Sequence, residues 1–452
     1  MRVEGGVKMN CDSVFVKNYF AALEKENIKY CILRNADEVE NGDAHDVDMT
    51  VELKSMRRAL DIMKSIAESH GWKMHMMTGD IRDKVNIKCM NFFKVVEGKP
   101  ILVHFDFFPT STWSGMVMLD NETLLEDIDC STIYHKANPA VEAVTKLFIR
   151  LLHNNYIKEK YIPFIFEVFQ SRKEQVLKVM QNFSSQKMAA WVYDAAFDEN
   201  WNLIVEKRKG IISDIVETLK RKKNYYPVKL NYYRYIARKL VHKAGPMVVF
   251  EGTDGSGKTT IINGLPEVLE RTFNENLIDY YHWRPNFLKS PNPKSNENTG
   301  LVCAEPHAKK PYNKVVSFGK FIYFNLDYIF GYFFKTRIQQ SKGRMVIFDR
   351  YYYDYYLDKL RYRLNISDTV LDFFKPFIPK PDVTLLLTGD AQILYERKKE
   401  IPIEEIQGQI DRMMDKKDSF HNPVVIDVNS SVEQVIDDVA CAILDACARK
   451  EK

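Results

Sequence analysis

The chain has 452 residues, 45% of them hydrophobic and 12% aromatic, which excludes general disorder and predicts two or three domains with packed cores. A formal net charge of +4 is small for this length, so no specific nucleic acid is expected as a partner. Seven scattered cysteines without a Cys-x-x-Cys pair, and no apolar signal or membrane-spanning segment, predict a cytoplasmic protein with reduced thiols.

The N-terminal part of the chain alternates between helix-like and strand-like patterns. Apolar spacing and short alternating stretches predict, in chain order, a helix at 13–28, strands at 29–35 and 46–52, a helix at 54–72 and two strands within 84–109. We assign residues 1–135 to this α+β domain.

Three carboxylates stand out in this domain. Asp46 and Asp48 are two residues apart on a predicted strand, so both point to the same face. Asp106 lies on a later predicted strand, with His104 on the same face. Carboxylates that converge from two strands can hold one or two Mg²⁺ ions for an in-line attack on a nucleotide α-phosphate. Acidic residues on an exposed strand face are the alternative explanation.

The order of these elements resembles the polymerase-β-like nucleotidyltransferase superfamily, in which Asp-x-Asp follows a short strand and turn and a third Asp lies on a later strand. The resemblance implies a nucleotidyltransferase-like domain with Asp46, Asp48 and Asp106 as metal ligands. The turn before the pair carries Arg34 where the superfamily usually has Gly-Ser. An active nucleotidyltransferase and a degenerate binding domain both remain open.

The middle of the chain is predicted to be helical. From about residue 138 to 223, apolar residues recur at three- and four-residue spacing. Residues 220–246 contain no Asp or Glu. This basic stretch is either a connecting helix whose charges face water or a contact surface for an anionic partner, such as a phospholipid surface or a phosphorylated substrate. We assign residues 136–243 to this helical extension and basic connector.

Strand-like and helix-like stretches alternate again from residue 246, which predicts an α/β fold with a doubly wound parallel sheet and flanking helices. In VFEGTDGSGKTT, residues 249–260, an apolar strand, the pattern G-x-x-x-x-G-K-[ST] and a helix follow one another, as in a phosphate-binding loop. The predicted nucleotide contacts are Gly252, Gly255, Ser256, Gly257, Lys258, Thr259 and Thr260, with Lys258 at the transferred phosphoryl group and Thr259 as a Mg²⁺ ligand.

The same string resembles the loop of the thymidylate kinase family, F-E-G-x-D-G-x-G-K-[ST]-T, and the resemblance covers the P-loop domain at residues 244–452. It implies a kinase that uses ATP and Mg²⁺, with Asp254 at the acceptor sugar. In IFDRYYYD, residues 347–354, it implies that Asp349 lies near the Mg²⁺ and that Arg350 holds the acceptor phosphate. A structural Asp-Arg ion pair is the alternative.

A basic stretch at residues 394–406 resembles the mobile lid of these kinases. Family members without an Arg inside the phosphate loop carry the catalytic Arg in the lid, and Ser256 occupies that loop position here. The resemblance therefore implies that Arg397 neutralises charge on the transferred group. An exposed basic helix end is the alternative.

The acceptor side departs from the family. YYHWRPNF, residues 280–287, stands where thymidylate kinases have Arg-Glu-Pro-Gly-Gly, although Arg284 could still bind an anion. The helix at residues 321–334 lacks the Arg that precedes a His in the base-binding helix of the family. We therefore expect a small-molecule acceptor of the phosphorylated or sugar type rather than thymidylate.

Three functions remain open on the sequence alone. The first is an ATP-dependent kinase fused to a nucleotidyltransferase. The second is a true thymidylate kinase with an accessory domain. The third is a regulatory switch protein that hydrolyses ATP slowly. A homodimer through the kinase domain is a possible assembly.

Overall fold

The computed structural model describes residues 13–42, 46–78, 83–222, 225–241, 245–269, 278–288, 310–399 and 401–450. These residues divide into two compact units. The first comprises the described residues up to Lys94 together with Leu102–Ala237, and the second comprises Val95–Ile101 together with those from Arg238 onward. Within the described residues, no helix combines the length and apolar character needed to cross a membrane.

A five-stranded mixed sheet organises the N-terminal part of the chain. Its strands are β1 (Tyr30–Ile32), β2 (Asp46–Val51), β3 (Lys73–Thr78), β4 (Lys88–Val96) and β5 (Lys99–Phe107), in the spatial order β1-β2-β5-β4-β3. β2 and β5 are parallel, whereas the pairs β1–β2 and β3–β4 are antiparallel. The helices among these strands are α1 (Ser13–Lys25), α2 (Ala36–Glu40) and α3 (Met56–Ser69).

Aromatic packing fixes α1 against this sheet. The buried Phe15 ring stacks on Trp72 and meets the edge of Phe105, with ring centroids 5.5 and 5.9 Å apart. The chain thus shows the expected mixture of helices and strands here, and the nucleotidyltransferase assignment stays a prediction.

A short hairpin and a run of helices follow. The hairpin consists of β6 (Ser111–Trp113) and β7 (Met116–Leu119). The helices are α4 (Asn121–Leu124), α5 (Pro139–Asn154), α6 (Ile162–Ser171), α7 (Lys173–Gln181), α8 (Gln186–Phe197), α9 (Trp201–Glu206), α10 (Arg208–Lys220) and α11 (Tyr225–Val241). Asn138 caps α5 by accepting a hydrogen bond from the Ala140 amide. Apolar faces of α5 to α10 meet in one core, as the helical spacing predicts.

The second unit is built on a five-stranded parallel sheet. Its strands are β8 (Met247–Gly252), β9 (Ile278–His282), β10 (Met345–Asp349), β11 (Val383–Thr388) and β12 (Pro423–Asp427), in the spatial order β12-β11-β8-β10-β9. Its helices are α12 (Lys258–Leu269), α13 (Lys314–Gly331), α14 (Arg337–Ser341), α15 (Asp354–Leu357), α16 (Asp368–Phe374), α17 (Ala391–Arg397), α18 (Ile403–Lys416) and α19 (Val432–Lys450). The result is an α/β unit compatible with a P-loop kinase fold, as predicted.

Parallel pairing brings the functional loops of this unit to one edge of the sheet. Asp349 at the end of β10 pairs in register with Phe250 of β8 and with His282 at the end of β9. The carboxyl ends of parallel strands share an edge, and ligands of such sheets bind there. The three central strands β8, β10 and β11 are almost fully buried, so this edge is rigidly supported.

Candidate functional site

The loop between β8 and α12, residues 253–257, is predicted to bind phosphate and contains two glycines with positive φ. Gly255 and Gly257 have φ values of 86° and 80°, which residues with side chains rarely adopt. A Cβ atom at Gly255 would also collide with the carbonyl oxygen of Leu394 in α17. Because α12 begins at Lys258, its unpaired first amides face the same turn and favour an anion.

The Lys258 side chain is buried and folded back onto this loop. Its Nζ donates hydrogen bonds to the carbonyl oxygens of Gly252 at 2.7 Å and Thr253 at 3.0 Å. Burial, followed by the charge of the neighbouring Arg350, lowers the pKa of Lys258 to about 8. The ammonium charge is therefore poorly stabilised within the loop, and a bound phosphate would stabilise it.

The other predicted nucleotide contacts differ in exposure. Ser256 is buried, and its Oγ donates to the Thr253 carbonyl at 2.8 Å, so this side chain braces the loop. Thr259 and Thr260 are exposed at the start of α12. The Thr259 hydroxyl is thus accessible to a metal ion that accompanies a bound nucleotide.

Asp254 lies at the centre of a cluster of buried charges. Its Oδ1 accepts a hydrogen bond from Arg350 Nη2 at 2.6 Å, and its Oδ2 accepts one from Arg361 Nη2. Arg350 Nε also lies 3.5 Å from Asp354 Oδ2, and Tyr362 donates its hydroxyl to the same carboxylate. Burial alone would raise the pKa of Asp254, but the two guanidinium groups lower it well below the usual carboxyl range.

The two carboxylate oxygens of Asp349, the last residue of β10, differ in their hydrogen bonding. Its Oδ2 accepts a hydrogen bond from the Tyr280 hydroxyl at 3.0 Å and lies 3.7 Å from His282 Nδ1. Its Oδ1 is buried without a hydrogen-bond partner among the described residues. Burial opposes the negative charge, but His282 and the charges of Lys258 and Arg350 lower the pKa of Asp349. An ionised carboxylate with an uncommitted oxygen suits Mg²⁺, a cation that prefers oxygen ligands.

Glu251 is a buried carboxyl for which the sequence predicts no role. Its Oε1 accepts a hydrogen bond from the Tyr351 amide at 2.9 Å, and its Oε2 has no partner among the described residues. Burial and the nearby Asp354 raise the pKa of Glu251 well above the ordinary value. Burial therefore favours the protonated form of this carboxyl, which links the end of β8 to the chain after β10.

Arg284 occupies a buried ion pair. Its Nη1 lies 2.9 Å from Asp327 Oδ2 of α13. Asp327 also accepts hydrogen bonds from the amides of Phe287 and Leu288, so it holds the loop after β9 in place. The neighbouring Trp283 stacks on Tyr362 with ring centroids 4.5 Å apart. The structure thus gives Arg284 a partner within the protein, and its contact with a substrate stays a prediction.

Arg397 lies at the exposed end of α17. Its Nη2 donates a hydrogen bond to the Val428 carbonyl at 3.0 Å, and this is its bonding partner among the described residues. The side chain is exposed enough to change its rotamer. This contact uses one of the five N–H donors of the guanidinium, and a catalytic role for Arg397 stays a prediction.

Comparisons with known proteins give a likeness to solved structures and no match to a protein family. No protein-family model matches the chain, and no curated protein matches its sequence. Among solved structures, it is similar to the crystal structure of a thymidylate kinase from Ehrlichia chaffeensis, with 20% sequence identity and a TM-score of 0.29. The match covers 43% of this chain and 96% of that chain.

The predicted N-terminal carboxylates lie on two adjacent strands. The parallel register of β2 and β5 puts Asp46 opposite His104 and Asp48 opposite Asp106. Asp48 is buried, and its Oδ2 lies 2.6 Å from Arg34 Nε, whereas its Oδ1 has no partner among the described residues. Burial outweighs Arg34 and raises the pKa of Asp48. Arg34 is therefore paired with Asp48 Oδ2, one of the carboxylate oxygens that a metal ion would use.

Several residues of both sites were missed by the sequence reasoning. One indication of the contact between Arg361 and Asp254 was present in the sequence. The two arginines of Arg-Tyr-Arg, residues 361–363, follow Arg350 closely in the chain. In the N-terminal sheet, the missed residues are Cys89 and Asn91 of β4, a strand next to β5. Their alternate spacing on a strand was the only signal, because their partners lie on another strand.

Proposed function

We propose that the C-terminal unit transfers the γ-phosphoryl group of ATP to a small phosphorylated or sugar-type acceptor, as thymidylate-kinase-like enzymes do. The observation that supports this most strongly is the convergence of Arg350 and Arg361 on Asp254 inside the phosphate loop. Guanidinium groups present forked donors that suit the oxygens of an acceptor phosphate.

The donor side follows from the loop after β8. Its positive-φ glycines and the start of α12 suit the phosphates of ATP. A phosphate is a stronger acceptor for Lys258 Nζ than the two carbonyls that it now contacts, so we expect this side chain to turn to the nucleotide. Asp349 and Thr259 would hold Mg²⁺, which supplies positive charge to the phosphates when bound.

The acceptor side follows from the Asp254 cluster. In the free protein, Asp254 neutralises Arg350 and Arg361. An acceptor phosphate would compete with Asp254 for these donors, and the released carboxylate could then accept a hydrogen bond from an acceptor hydroxyl. Arg397 would close over the transferred group from α17, which is the lid role that its exposed position allows.

A panel of acceptors tests the kinase proposal. ADP release from ATP and Mg²⁺ would be measured with thymidylate, other nucleoside monophosphates, sugar phosphates and free sugars. We expect at least one phosphorylated or sugar acceptor other than thymidylate to raise the rate above basal hydrolysis. Stimulation by thymidylate alone would instead identify a true thymidylate kinase with an accessory domain. Basal hydrolysis that no acceptor raises would overturn the proposal and favour a regulatory switch.

A second candidate function concerns the N-terminal unit, for which we propose metal-dependent nucleotidyl transfer. Its support is the register of β2 and β5, with Asp48 opposite Asp106 and Asp46 exposed beside them. Pyrophosphate release from each nucleoside triphosphate would be measured with the wild type and with the double variant Asp46→Asn, Asp48→Asn. The double variant should lose this release and keep its kinase turnover. A wild type that never releases pyrophosphate would sink this second candidate.

A further inference from the structure

Three potential metal ligands of different chemical type meet on the N-terminal sheet. Cys89 lies on β4, and His104 and Asp106 lie on the adjacent β5. One ligand atom from each residue lies within 4.8 Å of the other two. Within this cluster, His104 Nε2 and Asp106 Oδ1 are 3.0 Å apart. Cys89 had no part in the three-carboxylate arrangement that the sequence predicts.

The orientation of His104 is set by a neighbour. Asn91 is buried, and its side-chain Oδ1 is hydrogen-bonded to His104 Nδ1. An amide oxygen only accepts, so Nδ1 carries the proton and Nε2 is directed at Asp106. Histidines that bind metals usually donate their other ring N–H to a carbonyl or carboxylate in this way. The Asn91 contact therefore presents His104 in the tautomer that a metal ion requires.

The pair formed by His104 and Asp106 needs a positive charge between its members or on one of them. A neutral imidazole whose Nε2 lone pair faces a carboxylate oxygen at 3.0 Å would be repelled by it. Either a proton on Nε2 or a metal ion relieves this repulsion. The Cys89 side chain is also hydrogen-bonded to Asp106. Its sulfur completes a set of three metal ligands once the thiol proton is lost, so a metal ion would replace both the Cys89 proton and the Nε2 proton.

The type of ligand selects the type of metal. Thiolate, imidazole and carboxylate together favour a borderline-soft divalent cation such as Zn²⁺ over Mg²⁺, which prefers oxygen. The side chains of His104 and Asp106 are 22% and 20% exposed, so an ion can enter from solvent and a water molecule can complete its coordination. The acidic Asp46, opposite His104 in the register, adds favourable negative charge.

We propose that Cys89 Sγ, His104 Nε2 and the Asp106 carboxylate form a binding site for a zinc-type divalent cation. Binding converts the Cys89 thiol to a thiolate, and its proton leaves to solvent. Asp106 also belongs to the proposed magnesium set, so occupation of this site removes one ligand from that set. The zinc-type site itself requires neither kinase nor nucleotidyl-transfer activity.

Cobalt titration of the metal-stripped full-length chain tests this site. Co²⁺ bound by a thiolate gives a sulfur-to-metal charge-transfer absorption, which reports a cysteine ligand directly. We expect this absorption to saturate near one Co²⁺ per chain and to be displaced by Zn²⁺ but not by Mg²⁺. Cys89→Ser should abolish it, whereas Cys130→Ser, at an exposed cysteine outside the cluster, should retain it.

Two further variants separate ligands from the residue that positions them. Asn91→Ala should weaken Co²⁺ binding by about 10- to 100-fold and retain the charge-transfer absorption. His104→Ala, which removes a ligand, should weaken Co²⁺ binding at least as much. Circular dichroism would confirm that each variant is folded. A folded wild type without the absorption, or a Cys89→Ser variant that keeps it, would overturn the site and leave His104 and Asp106 as a proton-bridged pair.

Discussion

Arg350 and Asp254 form a buried ion pair between the end of β10 and the phosphate loop, with 2.6 Å between Arg350 Nη2 and Asp254 Oδ1. Arg361 binds the other oxygen of the same carboxylate. The loop proposed to hold the donor is thus tied to the two cations proposed to hold the acceptor. Removal of Asp254 would leave Arg350 and Arg361 with the more distant Asp354 and Asp358, at 3.5 and 3.3 Å, so this cluster links the stability of the fold to the proposed acceptor site.

Replacing Asp254 tests this link. Asp254→Asn removes the nearest acidic partner of Arg350 and Arg361 and leaves them Asp354 and Asp358, so we expect the free energy of unfolding to fall by up to about 3 kcal/mol in chemical denaturation. The acceptor kcat/KM should fall more than the affinity for ATP. Asp368→Asn is the matched control, because Asp368 forms only partly exposed ion pairs with Lys359 and Lys416. Its loss should stay below about 1 kcal/mol. Equal losses in the two variants would contradict the prediction.

The pKa of Lys258, about 8, predicts a pH dependence of nucleotide binding. Below this pKa the ammonium is charged and attracts phosphate, and above it the charge is lost. If the charged form alone binds well, the affinity for ATP should fall about tenfold between pH 7 and pH 9. Calorimetry over this range measures the effect. Lys258→Arg keeps its charge over this range. The affinity of this variant for ATP should therefore change little with pH, even if it differs from that of the wild type. A flat profile for the wild type would refute the assignment.

The Asp349 oxygen without a hydrogen-bond partner predicts that replacement of this residue specifically weakens magnesium binding. Asp349→Asn should raise the Mg²⁺ concentration for half-maximal ADP release by about tenfold or more, a difference of about 1.4 kcal/mol. Binding of ATP without Mg²⁺ should change little, because the loop amides and Lys258 remain. Tyr280→Phe is the control, since it removes only the hydrogen bond to the other oxygen of Asp349. An unchanged Mg²⁺ requirement in Asp349→Asn would exclude this residue as a ligand.

The buried Glu251 predicts an effect of pH on stability with a defined sign. Its pKa is raised in the folded state, so the unfolded chain releases this proton first as the pH rises. The contribution of Glu251 is therefore fully present below its unfolded pKa, about 4.3, and declines above it towards the folded pKa. Glu251→Gln keeps the shape of the neutral acid and should abolish this part of the decline.

Denaturation of both proteins between pH 4 and pH 8 measures the difference. Glu251→Ala serves as the comparison, since it leaves the Tyr351 amide without its acceptor and creates a cavity. That variant should be less stable than Glu251→Gln at every pH. A wild type and a Glu251→Gln variant with parallel pH profiles would show that Glu251 is ionised in the folded protein.

The sequence predicts those parts of the fold that depend on local patterns of residues. The strand, glycine-rich turn and helix around Lys258 follow one another within residues 247–269, so periodicity and turn chemistry suffice. The parallel sheet follows from the regular alternation of strands and helices. The helical run from α5 to α10 follows from its apolar spacing in the same way.

The contacts that the sequence does not predict join residues far apart in the chain. Arg361 and Asp254 are 107 positions apart, and Arg284 and Asp327 are 43 apart. Neither pair has a spacing that one sequence can reveal, since the fold of the loops and helices around the sheet decides which residues meet. The pairing of Arg34 with Asp48 is likewise set by a turn whose geometry the letters do not specify. Burial, which raises the pKa of Glu251, also depends on the whole fold.

The approach of the Leu394 carbonyl to Gly255 sets the mutational tolerance of the phosphate loop. Position 255 is closed to side chains for two independent reasons, its φ of 86° and the oxygen of α17 beside it. The exposed Gly319 lies within α13, and a Cβ atom there would meet no atom of the described residues within 4 Å. In a library randomised at each position and selected for ATP binding, we expect glycine alone at 255 and many residues at 319. Evolution of a new acceptor preference in this chain must then proceed around a fixed loop.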